Sequence, residues 1–236
     1  VELVGLDSSV GASFQQPSKR HLEIHLDRVW LQGELTIPTE AKGMVLCAYD
    51  ESSSRLSAKH QWIASNLNQA GLATCLFDLL SVEEEQEDRI HSCYRFNIAL
   101  LGQRVIEITD WIDHYLACSL PLGYFSANTA AAAAPVAAVA RPDLVKAMVS
   151  LHGRADMAVH ALHEVEIPML FIVGGLDHVV VELNRLAYRQ LPKHRKKELL
   201  VVANANHLFE DSDNLDQVAQ HTVQWFTRYL THETLN

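Results

Sequence analysis

Along this chain, short runs that are apolar almost throughout alternate with longer stretches whose apolar positions recur every three or four residues. The first two runs are different: "HLEIHL" (21–26) and "RVWLQGELTIP" (28–38) alternate apolar with polar, the period of a half-buried strand, and predict an antiparallel pair. Six later runs, "GMVLCAY", "LATCLFDLL", "LPLGYFS", "VKAMVSLH", "PMLFIVGG" and "ELLVVANA", are near-continuously apolar, as strands covered on both faces must be. Between them the helical period predicts helices over 56–70, 96–117, 129–140, 179–191 and 215–230. This order specifies an α/β class: one domain over 1–236 with a mostly parallel central sheet, helices on both faces and an antiparallel N-terminal strand pair. Residues 1–20 are expected to form a loosely ordered lead-in, and the acidic run "VEEEQED" (82–88) an exposed loop or the first turn of a helix, where carboxylates suit the helix dipole.

The stretch "PLGYFSANTAAAAA" (121–134) reads as a buried strand passing through a sharp turn into an alanine-rich helix, with Asn128 at the tip. In hydrolases of this class the tip carries a serine written G-x-S-x-G, followed in chain order by an acid and a histidine. Asp177, behind the strand "PMLFIVGG", and His207, behind "ELLVVANA", fill those two later places, from which a carboxylate can orient an imidazole towards the turn. Asp177 can also serve simply to cap the helix that follows it.

The segments "GLATCLFDLL", "RFNIALLGQRV", "GYFSANTAAAAA", "IVGGLDHVVVELNRLA" and "NANHLFEDSDNLDQVAQHTVQWF" together resemble the dienelactone-hydrolase-like family of the α/β-hydrolases, from about residue 28 to the C-terminus. The resemblance implies a single-domain α/β-hydrolase fold, an esterase-like Ser-His-Asp triad and no cofactor. Carried over residue by residue, it puts Asn128 in the nucleophile position, Asp177 as the acid and His207 as the base. Ser126 and Ala130 stand where the family has the flanking glycines, and Tyr49-Asp50 where it has His-Gly. Asn tolerates the positive φ of such a turn better than other non-glycine residues, so the turn can survive. A carboxamide has no ionisable proton for an imidazole to remove and is far too weak a nucleophile, so acylation cannot.

Around the turn, the Thr129 N–H is the remaining oxyanion donor, and Asp50-Glu51 would oppose a developing negative charge if they face it. Arg154 aligns with a family arginine and suits either an anionic ligand group or a surface ion pair. Substitute nucleophiles are disfavoured: Ser126 and Thr129 should not point where Asn128 points, and Cys47 is expected in the core. Pro135 is expected to kink or shorten its helix, and Arg95 and Arg104 to pair with the acidic run. Three readings follow. One is a small-molecule-binding homologue with a degenerate triad, its ester hydrolysis lost or repurposed. Another is a serine esterase carrying a Ser-to-Asn substitution at 128, and the third a lyase, isomerase or cyclase using the Asp177–His207 dyad as general base.

Composition narrows the partners. A net charge of −10 argues against nucleic acid and anionic membranes, and the basic run "KHRKK" (193–197) is short. Cys47, Cys75, Cys93 and Cys118 show no C-x-x-C spacing and suit free thiols in a reducing, cytoplasmic compartment. His152, His160 and His163 lack the carboxylate pattern of a metal site. The expected partner is a small molecule in the elbow pocket; oligomeric state is not encoded legibly.

Overall fold

The computed structural model describes residues 18–26, 29–50, 54–116 and 120–231. The expectation for residues 1–20 lies outside these except at 18–20, which are strand; Glu51 and Cys118 also lie outside. The alternating runs form a hairpin, β1 (Ser18–Leu26) and β2 (Val29–Ile37), paired antiparallel from Ser18↔Ile37 to Leu26↔Val29. Leu22, Ile24 and Leu26 face inward, as the period of two requires. Gly33 of β2 lies on the Phe77 ring, where a Cβ would come within 2.5 Å of its edge.

The near-continuous apolar runs become β3 (Gly43–Tyr49), β4 (Leu72–Asp78), β5 (Leu122–Ala127), β6 (Val145–Leu151), β7 (Met169–Gly174) and β8 (Lys197–Val202). Together with the hairpin they make one eight-stranded sheet in the order β1-β2-β4-β3-β5-β6-β7-β8, parallel from β4 to β8. Helices α1 (Ala58–Gln69) and α7 (Ser212–Leu230) bury Ile63, Leu67, Val218 and Phe226 in a cluster on one face. On the other face lie α3 (Ile98–Leu116), α4 (Ala130–Ala140), α5 (Val159–Glu164) and α6 (His178–Gln190). Strand order reverses at β3, because the chain moves to β4 on one side and to β5 on the other; in open α/β sheets that switch point is where a crevice opens beyond the strand ends. Asp50 and Asn128 close the two strands that flank it.

Of the two expectations for the acidic run, the helix is observed: Glu83, Glu84 and Glu85 occupy the first turn of a ten-residue helix, α2 (Val82–His91). Ser81 and Glu84 form a reciprocal capping box, which satisfies two amino-terminal N–H groups. Glu84 is also gripped by Arg104 of α3 at 2.6 and 2.7 Å, and the same guanidinium donates to the Leu79 carbonyl. Arg95 pairs with the buried Asp88, whose pKa is held low although burial pushes it up, because Arg95 and the backbone N–H groups of Arg95 and Tyr94 favour the carboxylate. The expected pairing of both arginines with the run is therefore observed.

Helix α4 continues through Pro135 without the expected interruption. Its alanines pack on α3 closely enough that a Cβ on Gly102 would lie 2.9 Å from Val136. No helix among the described residues is long and apolar enough to cross a membrane.

Arg104→Met should lower stability by about 3 kcal/mol, since it strands the mostly buried Glu84 carboxylate without its partner. A urea midpoint unchanged by the substitution would show that α2 is held by its cap and apolar contacts alone.

Candidate active site

The turn after β5 has the geometry its sequence suggested. Asn128 has φ of 51°, in the left-handed region, and is exposed at the tip. Its carbonyl accepts from Arg154 N–H at 2.8 Å and Ala131 N–H at 3.3 Å, which ties the turn to the loop after β6. Gly153 makes that approach possible: a Cβ there would lie 2.2 Å from the Ala131 Cβ and 2.3 Å from the Ser150 Oγ.

Beyond Asn128 the chain enters α4, and Thr129 N–H points out of the helix start. It does not face an open site. The Asp50 carboxylate, 3% exposed at the end of β3, accepts from this N–H at 2.9 Å and from the Thr129 hydroxyl as well. A helix start offers partial positive charge and unpaired donors, so a carboxylate is well placed there. The donor that would steady a developing oxyanion is thereby held by an internal anion.

The other expected site residues divide into two groups. Tyr49 is buried and stacks on His60 with ring centroids 4.0 Å apart, a core position and not a pocket wall. Arg154 is clamped through Nε and a terminal nitrogen by Asp156 at 2.9 and 3.0 Å, the ion-pair alternative. Ser126 is fully buried below the turn, and the Thr129 hydroxyl is tied to Asp50. Burial pushes the Cys47 thiol up to about 12, against the smaller opposing effect of Tyr49, so it is not an activated nucleophile.

Asp177 and His207 do stand at consecutive strand ends. Gly174 of β7 packs against the carbonyls of Ala205 and Asn206, each 2.6 Å from where a Cβ would be, and Leu176 N–H bonds to Ala205 O at 3.0 Å. Asn206 Oδ1 then accepts from Leu208 and Phe209 N–H, both at 3.0 Å, and folds the chain back just past His207. The exposed imidazole makes no hydrogen bond with Asp177. Instead Asp177 caps α6 through Val180 N–H at 3.1 Å, and its Oδ2 lies 3.3 Å from His152 Nε2. Of the Asp177–His207 pair expected from the sequence, the structure therefore brings Asp177 against His152 and leaves His207 without a hydrogen bond to it. Burial lowers the His152 pKa while Asp177 acts against the shift.

His152, which the sequence presents only within a histidine trio with His160 and His163, is the residue that the structure adds at Asp177. Those two lie on α5, and no group of three His, Cys, Asp or Glu among the described residues could hold a metal ion. The usable signal was its position at a strand end in "SLHGR", one strand before Asp177.

Because position 128 needs φ of 51°, Asn128→Ala should destabilise by about 1–2 kcal/mol while Asn128→Gly stays near neutral. Equal thermal stability of the two variants would show that the turn is not held in this conformation.

No protein-family model matches the chain. The crystal structure of dienelactone hydrolase from Anabaena variabilis ATCC 29413 superimposes with a TM-score of 0.85 and 44% identity, over 91% of this chain and 99% of that one. A dienelactone hydrolase-like promiscuous phosphotriesterase from metagenomic libraries shares the fold with a TM-score of 0.71 at 14% identity, covering 91% of this chain and 99% of its own. In Mycobacterium tuberculosis H37Rv, a protein named "Putative phosphoribosyl transferase" is 44% identical over 199 residues, or 84% of this chain; the chain spans 44% of that relative's length. With 44% identity across nearly the whole of the Anabaena structure and the same layered architecture, this chain belongs to the dienelactone-hydrolase-like family of α/β-hydrolases.

Proposed function

We propose that this protein is a small-molecule-binding member of the family in which ester hydrolysis through an acyl-enzyme has been given up. The carrying observation is the Asp50 carboxylate on Thr129 N–H, next to a turn whose tip is Asn128. Loss of a serine nucleophile alone costs about 10⁶ in turnover in a serine protease. Loss of one oxyanion donor costs a further 10² to 10³ or so where it has been measured. Here the donor is opposed by a negative charge as well as occupied. The reading is supported from a third side by Asp177, which is engaged by His152 and not by the expected base.

The same contact bears on the ligand. A helix start is a natural receptor for phosphate or carboxylate, but at α4 that place holds Asp50, and Arg154 is neutralised by Asp156. An uncharged small molecule fits these surroundings better than a phosphorylated one. The buried thiol of Cys47 suits the reducing, cytoplasmic setting expected from the cysteine spacing.

Asn128→Ser separates this reading from that of an esterase interrupted by a single substitution. The variant is expected to remain unlabelled by a fluorophosphonate probe and to cleave p-nitrophenyl acetate and butyrate no faster than the parent. Restoration of hydrolysis by several orders of magnitude would overturn the proposal.

A further inference from the structure

His152 combines features that packing alone does not require. It follows β6 with φ of 47°, a conformation that bulky side chains seldom adopt, and its ring is 9% exposed. Backbone strain of this kind persists where surrounding structure imposes it, and it concentrates at functional sites. The groups facing the ring come from three other elements. Asp177 lies at the start of α6, Lys59 is on α1, and the exposed His207 follows β8 with its ring centroid 5.8 Å away. Phe209 meets the ring edge-on at 6.2 Å and gives it an apolar wall.

These contacts decide the tautomer. A carboxylate only accepts, so the Nε2 facing Asp177 carries the proton, and in the neutral ring Nδ1 keeps the lone pair. That Nδ1 is buried and has no hydrogen-bond partner. Buried acceptors are nearly always satisfied, by protein or by an ordered molecule such as water, so this lone pair is available to a donor from outside the chain. Burial pushes the pKa of this imidazole down, so at pH 7 the lone pair is present.

Resting on the reading of the site as one that binds a small molecule and does not acylate, we propose that His152, oriented by Asp177, is the hydrogen-bond acceptor for that ligand and that the ligand is an uncharged molecule presenting an O–H or N–H group. The ligand's O–H or N–H takes the part that an attacking serine hydroxyl would otherwise play towards an imidazole acceptor. Asp177 is the positioning residue, fixing the proton on Nε2 so that Nδ1 stays open. An anionic ligand is disfavoured because it would bring negative charge beside the Asp177 carboxylate.

Long-range proton–nitrogen correlation spectra of the uniformly nitrogen-15-labelled protein test this directly, with resonances assigned by His152→Gln and His207→Gln. His152 is expected as the Nε2-protonated tautomer, remaining neutral to a pH below that at which an ordinary histidine charges. Phenol should move its Nδ1 resonance, whereas fluorobenzene, nearly the same size but without a donor, should not. Asp177→Asn should remove the tautomer preference of His152 and leave His207 unchanged. An equal response to the two aromatic probes, including none to either, or an Asp177→Asn effect at His207 in place of His152, would overturn the assignment. The probe comparison needs no variant at Asp177, so it stands even if that substitution disturbs folding. An ester-cleaving Asn128→Ser variant would instead remove the underlying reading, and the two failures are distinguishable.

Discussion

The arrangement of the site depends on a carboxylate bound to the amino-terminal end of α4. Asp50 ends β3, Thr129 follows the end of β5, and these strands are neighbours at the point where the strand order reverses. Partial positive charge at a helix start is offset by whatever anion reaches it, and here the anion belongs to the chain itself. Two hydrogen bonds to one oxygen fix the strand end, the turn and the helix start relative to each other. The stabilisation is permanent, while a transition-state oxyanion would need the same donor only transiently.

A similar exchange of partners occurs on the other side of Asn128. Asp177 stands at the position of the family acid, yet its hydrogen-bond capacity goes to the cap of α6 and to His152. His207 is left exposed at the rim. Asp177 and the Thr129 N–H thus each have an internal partner. The scaffold around them is preserved by close packing of small residues: Gly153 against Ala131, Gly174 against the 205–206 carbonyls, and the alanines of α4 against α3. At Gly153 and Gly174 those contacts leave no room for a Cβ, so they help to hold the loops around the turn in place.

Much of the architecture was legible because its causes are local. Period-two alternation in β1 and β2, continuous apolar runs in the six parallel strands and helical spacing in α3 and α7 are properties of neighbouring residues, and so is the preference of Asn128 for positive φ. The helix start in the acidic run is legible because the capping box written in "SVEE" is local too. Pro135 does not shorten its helix, which is held by packing despite the loss of one backbone bond.

The side-chain partners were a different matter. The sequence by itself determined the α/β order, the turn at 128 and the carboxamide at its tip, since each follows from residue chemistry or short-range periodicity. Only the tertiary structure decided that Asp50 reaches Thr129, 79 positions away, and that Asp177 meets His152 and not His207. Such choices depend on the angles at which separate strand ends deliver their loops. A displacement of an ångström or two there exchanges one hydrogen-bond partner for another, and no local pattern along the chain encodes it.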